Sequence, residues 1–322
     1  MSLRADTRFK DRLIGDHQAP MSEAARIKSS YVTGCEPSHS VLLLSEPGRR
    51  RYGVLVETLK EANPARVLDL GCGEGILEGQ LIHHGLSFEL LVGVDLNRQK
   101  LLETKLLSST QQRIELLQAD VENLPLRPGS FDAIVASEVI EHVPNEAVCL
   151  SELRRLAPRQ VIITVPALRY PGFLLAIGSE RFETWFGDNF HFPPRLGGLV
   201  KAFLWGSKAL ALPFFLLMGI LKTGNLQFYD YRLYHGRVPH RLYTAQYLVN
   251  SLKQHGFAVL AVRGIGFSLP FVAELEILLR KGGMTYLARV LARLQSTLDA
   301  CFKREANSSE NILISCVGTA NY

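Results

Sequence analysis

Residues 67–75 read Val67-Leu68-Asp69-Leu70-Gly71-Cys72-Gly73-Glu74-Gly75, and their reading decides the fold. Val67 to Leu70 is a short apolar run holding one acid, and Ile76-Leu77 opens a helical pattern beyond the glycines. The expectation is a strand, a tight glycine turn and a helix N-terminus. Glycines at alternate positions let the chain turn sharply and let a ligand approach the main chain. The helix that follows directs free N–H groups and partial positive charge at whatever lies in the turn. The spacing is G-x-G-x-G, whereas a nicotinamide-dinucleotide turn reads G-x-G-x-x-G.

Two further acids sit where the next strands should end. Leu90 to Asp95 reads as a buried parallel strand closing on a carboxylate, 22 residues past Gly73. A nucleotide-binding βαβ unit puts the acid that accepts from ribose hydroxyls at that distance. Ile114 to Gln118 reads as a third strand, closed by Ala119-Asp120. Asp69, the G-x-G-x-G turn and the acids at 95 and 120 together resemble the class I S-adenosylmethionine-dependent methyltransferases. The resemblance implies that Gly71, Cys72, Gly73 and Gly75 cradle that cofactor and that Asp69 serves its ammonium end. It implies that Asp95 and Leu96 meet the ribose, that Asp120 and Val121 meet the adenine, and that Ser137 closes the cofactor wall.

Strand and helix alternate up to Val161–Pro166, which specifies an α/β fold with a parallel sheet. A helix is expected from Pro47 to Asn63, with Tyr52, Leu55, Val56 and Leu59 at helical spacing. Thr244 should cap a later helix that Gly256 ends, followed by strands at Phe257–Val262 and Asn311–Val317. The resemblance makes these two the closing pair of a Rossmann-like, doubly wound, seven-stranded sheet, the last strand antiparallel. The expected organisation is an N-terminal segment and helix (1–62), a cofactor-binding core (63–168), an apolar substrate-side insertion (169–240), and the rest of the core (241–322). A helical insertion occupies 267–310 within that last part, broken at Gly282-Gly283. Residues 1–45 read as partly ordered, and Arg49-Arg50-Arg51 as a solvated charged face.

At 322 residues, 47% hydrophobic and 21% charged, the chain has material for a large core. Its net charge of +5 permits contact with anionic lipid or nucleic acid without arguing for either. Five irregularly spaced cysteines suggest reduced thiols and a cytoplasmic setting, with the inner face of a membrane as a peripheral site. The opening residues lack a signal peptide's apolar core, and the best apolar run, Ala209–Leu221, is 13 residues, too short to span a bilayer.

The fourth strand, Phe131–Ser137, runs into Glu138-Val-Ile-Glu141-His142-Val-Pro144. In this architecture that stretch faces the ligand beyond the strand ends. Should it begin a helix, Glu138, Glu141 and His142 share one face. Glu-x-x-Glu-His also has ligand spacing for a divalent cation such as Mg. One version of the chemistry makes His142 or a glutamate the general base for an acceptor hydroxyl; the other makes the three a metal site. Here the chain resembles the ubiquinone-biosynthesis O-methyltransferases and, less, the small-RNA 2′-O-methyltransferases. Both imply a bound cation, a hydroxyl acceptor and a further downstream ligand, for which His240 is the best positional match and His191 the second.

The stretch 167–240 is rich in Phe, Leu, Trp, Gly and Pro and should choose the substrate. Phe203, Trp205 and Ala209–Leu221, flanked by Lys201, Lys208 and Lys222, suit either a membrane interface or a packed lid or subunit contact. A hydrophobic small-molecule or lipid-linked acceptor follows as the leading expectation. An RNA 2′-O-methyltransferase is second, because the insertion is apolar and does not alternate base and aromatic. A cofactor-binding partner subunit without catalysis is third, and a nicotinamide oxidoreductase fourth.

Overall fold

The computed structural model describes residues 22–33, 46–107, 114–168, 225–229, 239–266, 275–276, 279–280, 282–302 and 311–318. Strand β1 (Arg66–Leu70) lies between β2 (Leu90–Asp95) and β4 (Ala133–Ser137), parallel to both. With β3 (Ile114–Gln118), β5 (Gln160–Pro166), β8 (Phe257–Ile265) and β9 (Asn311–Gly318) they make a seven-stranded sheet ordered β3-β2-β1-β4-β5-β9-β8. β9 is antiparallel to both of its neighbours, as the family resemblance implies. The strand order reverses between β1 and β4, which opens a crevice at their carboxyl ends.

Alternation along the strands explains how the sheet is covered on both faces. Val67, Ala133, Val135 and Ile162 pack with Tyr52, Leu55 and Leu59 of α2 (Glu46–Ala62) and Leu77 and Leu81 of α3 (Ile76–His83). Leu68, Leu70, Ile134 and Ile163 point the other way, onto α5 (Glu146–Leu156) and α6 (Ala245–Gln254). A parallel strand buried on both faces reads as a continuous apolar run, the form these strands have in sequence.

The helix ends follow local chemistry. Thr244 Oγ1 accepts from the Tyr247 amide, and Gly256, in the left-handed region, follows the end of α6. Asn145 Oδ1 accepts from the amides of Ala147 and Val148 and starts α5. The remaining helices are α1 (Glu23–Thr33), α4 (Arg98–Leu107) and α7 (Thr285–Phe302). A two-stranded ribbon, β6 (Asn225–Tyr229) with β7 (Pro239–Tyr243), falls inside the stretch that shows no strand-helix rhythm. Among the described residues no helix is long and apolar enough to cross a membrane. The apolar blocks of the insertion and His191 lie outside the described residues.

The N-terminal segment, read as partly ordered, contributes helix α1, laid against the strand ends. One expectation is corrected. The arginine run is not a solvated face. Arg49 Nη2 lies 2.9 Å from Glu276 Oε1, Arg50 Nη2 donates to Ser296 Oγ at 3.3 Å, and Arg51 turns to Glu138. The run fastens α2 to the C-terminal helical insertion and to the site.

Candidate active site

Gly71, Gly73 and Gly75 all have positive φ, at 67°, 57° and 75°. A Cβ at Gly71 would stand 2.5 Å from Val139 Cγ2, and one at Gly75 would stand 2.4 Å from Thr104 Cγ2. The turn is held from behind and from the side. The Cys72 amide donates to Val94 O at 3.0 Å, and Thr104 Oγ1 donates to Gly73 O at 2.9 Å. Asp95 Oδ2 accepts from the Gly73 amide at 3.0 Å, and Oδ1 accepts from the Asn97 amide at 2.7 Å. Each carboxylate oxygen has a second lone pair, so both can still accept from ligand hydroxyls. Burial pushes the Asp95 carboxyl up, against the pull of those backbone amides.

A cavity of about 300 Å³ runs from this turn across the crevice. Gly71, Cys72, Gly73, Asp95, Leu96, Asp120, Val121 and Ser137 line it, with Glu138, Glu141 and His142 at its other end. This is the fit that a sulfonium nucleoside asks for: a main chain bare of Cβ atoms, amides at a helix start, and carboxylates at successive strand ends. A polar hollow of about 340 Å³ at the amino ends of the strands, lined by Arg66, Glu89, Asp132 and Arg159, has none of these features.

Asp69 and Gly75 are not on the cavity wall. Asp69 is buried behind the turn beside Glu78. Burial and their mutual repulsion raise the Asp69 carboxyl well above its usual range, and burial above all lifts Glu78 to about 7. With both ionised, neither could donate to the other, and Glu78 would have no hydrogen-bond partner. One shared proton supplies the missing donor.

The sequence gives no hint of α1 or Arg51 here. Lys28 Nζ lies 2.5 Å from Asp120 Oδ2 and 2.6 Å from Glu122 Oε2. Burial opposes the Lys28 charge, but those two acids overcome it and hold the ammonium above its ordinary value. Tyr31 O accepts from Asn97 Nδ2 at 3.0 Å, and its ring meets His142 edge-on at 6.0 Å. The helix therefore touches the tips of β2, β3 and β4. Lys28, Tyr31, Arg51 and Tyr52 add to the cavity wall.

Residues 138–144 are a bend and turn, not the start of a helix. Glu138 has φ of 57°, a left-handed conformation that strains a residue with a side chain. Its amide donates to Thr164 O, its Oε1 accepts from Thr164 Oγ1 at 3.0 Å, and its Oε2 accepts from Asn311 Nδ2 at 2.9 Å. Arg51 Nη1 lies 3.4 Å from the same Oε2. Burial raises the Glu138 carboxyl, partly offset by Arg51, Thr164 and Asn311.

Glu141 is 1% exposed, and neither carboxylate oxygen has a hydrogen-bond partner. Burial first, and Glu138 second, raise it well above the ordinary range. His142 Nε2 stands 3.7 Å from Glu141 Oε1. His240 lies on β7 opposite Phe228 of β6, and its side chain is outside the described residues. The next residue makes the contact: Arg241 donates to the carbonyls of Ile140 (3.4 Å), Val143 (2.7 Å) and Pro144 (3.2 Å). Among the described residues no group of three or more His, Cys, Asp or Glu side chains is placed to hold a metal ion. The three candidate ligands do not converge, because Glu138 is committed to Thr164, Asn311 and Arg51.

Comparison with known proteins agrees with this geometry. The methyltransferase domain family matches residues 68–163. The ubiquinone biosynthesis O-methyltransferase of Dechloromonas aromatica is 38% identical over 120 residues, covering 36% of this chain and 50% of that protein. Its counterpart in Leptothrix cholodnii is 32% identical over 136 residues, covering 40% of this chain and 57% of the relative. The chain thus spans about half the length of the curated relatives it matches. The solved methyltransferase domain of bacterial CtHen1-C overlies 85% of this chain and 100% of its own, with 18% identity and a TM-score of 0.46, too loose to carry a substrate across. Residues 68–163 match the methyltransferase domain family, and both of the curated relatives are named as methyltransferases.

Proposed function

We propose that the chain methylates a hydroxyl oxygen of a hydrophobic small molecule or lipid-linked acceptor. One observation carries this reading: a single cavity joins Asp95 and Asp120 to the Glu141–His142 pair. S-adenosylmethionine, when bound, supplies an electrophilic methyl on a sulfonium. Everything else falls to the chain. The amides of the glycine turn and the carboxylates of Asp95 and Asp120 bind and orient the nucleoside. The acceptor oxygen must lie opposite the departing sulfur and out of bulk water, which the α1 and α2 walls provide.

As the oxygen–methyl bond forms and the carbon–sulfur bond breaks, the hydroxyl proton must leave. His142, on the cavity wall beside Glu141, is the base this site offers. Burial raises the Glu141 carboxyl, which favours its protonated form as a donor that orients the acceptor oxygen. Two relatives named as O-methyltransferases favour oxygen over nitrogen or carbon. Tyr31, Tyr52 and Val143 on the cavity wall favour an apolar or aromatic acceptor. The three described free cysteines are buried, which suits the reducing cytosol we assign.

The test incubates cell extract with enzyme and isotope-labelled S-adenosylmethionine and identifies the labelled product by mass spectrometry. The expected product carries the label on oxygen and partitions into organic solvent. His142→Ala should lose turnover while still binding S-adenosylhomocysteine by calorimetry. Full turnover in His142→Ala, or labelled RNA as the product, would overturn the reading.

A further inference from the structure

Helix α7 carries an apolar stripe that is exposed among the described residues. Tyr286, Leu287, Val290 and Leu294 are 71%, 51%, 49% and 54% exposed. They recur at three- and four-residue spacing, so they form one face. The opposite face is the one the protein buries: Ala288 and Gln295 are covered, and Ser296 takes the hydrogen bond from Arg50 of α2. The stripe therefore points away from the domain, on a helix fastened to α2, whose Arg51 lines the cavity.

The charge around the stripe selects its partner. Arg289 and Arg293 are exposed along its edge, and no acid occurs between Met284 and Leu298. We propose that this face of α7 docks on an anionic lipid surface, with the four apolar side chains in the headgroup boundary and the two guanidinium groups on lipid phosphates. A cationic helix with a one-sided apolar stripe and an aromatic near its end is built for that plane. A second copy of the chain fits less well. Pairing α7 with itself would oppose its own arginines, and four side chains on one helix fall short of the roughly 800 Å² that a stable interface asks of each partner. The proposal is independent of the reaction and can be read without cofactor.

The full chain is mixed with vesicles of phosphatidylcholine alone, or of phosphatidylcholine with phosphatidylglycerol, and bound protein is measured by flotation. Binding is expected to the anionic vesicles only and should weaken as salt rises. Arg289→Gln/Arg293→Gln should weaken binding about thirtyfold, at roughly one lipid-facing charge each. Val290→Glu/Leu294→Glu should abolish it, and both variants should keep the wild-type circular dichroism. Absence of binding by the wild type would overturn the proposal. So would undiminished binding by the glutamate variant. A wild-type dimer in light scattering that the glutamate variant dissociates would assign the face to a second copy. A large loss of thermal stability in the glutamate variant would assign it to the chain's own residues 169–224.

Discussion

Arg51 Nη1 lies 3.4 Å from Glu138 Oε2, and this pair joins the N-terminal helix α2 to the strained first residue after β4. Asn311 Nδ2 holds the same oxygen from β9, so three distant parts of the chain meet at one carboxylate. The left-handed backbone at Glu138 costs about 1–3 kcal/mol and persists because its surroundings over-determine it. It also directs Glu138 toward its anchors and leaves Glu141 and His142 facing the cavity.

Removing one partner of this pair should therefore cost more than a surface ion pair would. Arg51→Met is expected to lower unfolding stability by about 2–4 kcal/mol, because Glu138 remains partly buried with its charge uncompensated. Glu138→Gln keeps an acceptor for Asn311 Nδ2 and can turn its amide to donate to Thr164 Oγ1, so it should cost about 1 kcal/mol. Urea melts of the two variants check the order. Equal, sub-kilocalorie losses would show that the pair is solvent-screened.

The glycine turn gives a sharper test, because two penalties coincide at Gly75. Its φ of 75° disfavours any side chain, and an added Cβ would meet Thr104 Cγ2 at 2.4 Å. Displacing Thr104 would also break its hydrogen bond to Gly73 O, on the cofactor side of the turn. Gly75→Ala should lose about 2–3 kcal/mol of stability and lower S-adenosylhomocysteine affinity at least about tenfold by calorimetry. The double variant Gly75→Ala/Thr104→Ser should recover part of both, because it removes the methyl that clashes and keeps the hydroxyl.

The buried pair of Asp69 and Glu78 predicts an unusual pH dependence. The folded-state value of Glu78 is raised from 4.5 to about 7. The native protein therefore holds a proton that the unfolded chain releases in that interval. Its contribution is fully present below pH 4.5 and is lost as the pH rises towards 7. Stability should fall by a few kcal/mol across the window, the reverse of what a salt-bridged carboxylate gives. Glu78→Gln carries a permanent donor for Asp69 and should flatten the dependence. Urea melts of both proteins at about pH 5 and about pH 8 decide it, and parallel losses in wild type and variant would remove the pair from the account.

The parts of the fold that sequence makes legible are those whose signals are local. β1, β2 and β3 are apolar runs ending beside an acid, and β3 falls on the residues its pattern marks, Ile114–Gln118. The glycine turn, Asp95 and Asp120 follow the ends of β1, β2 and β3 in two successive βαβ units, so their meeting in space follows from the fold. Lys28, Arg51 and Arg241 are not legible, because each earns its place through a partner far away in sequence. Helix α1 has a single well-buried apolar residue among those described, Ile27, and its docking rests on polar contacts that no periodicity announces. The turn at 138–144 misleads for a related reason. Glu-x-x-Glu-His has helical spacing, yet the anchors on Thr164, Asn311 and Arg241 hold the backbone in another shape.

Arg241 is where that last point can be tested. It is 7% exposed, and its guanidinium spans the carbonyls of Ile140, Val143 and Pro144. Its amide also donates to Glu141 O at 3.2 Å, so β7 supports the turn with main chain and side chain together. A lysine cannot reproduce a planar fork over three acceptors. Arg241→Lys should therefore fail to rescue what Arg241→Ala loses: about 2–4 kcal/mol of stability, and turnover reduced at least about tenfold with S-adenosylhomocysteine binding kept. The split between turnover and cofactor affinity is the decisive reading. The turn lines one end of the cavity, while the glycine loop, Asp95 and Asp120, to which the proposed reading assigns the nucleoside, line the other without contact from β7. An equal loss of both would mean that Arg241 supports the whole crevice, and that the acceptor end is not a separable unit.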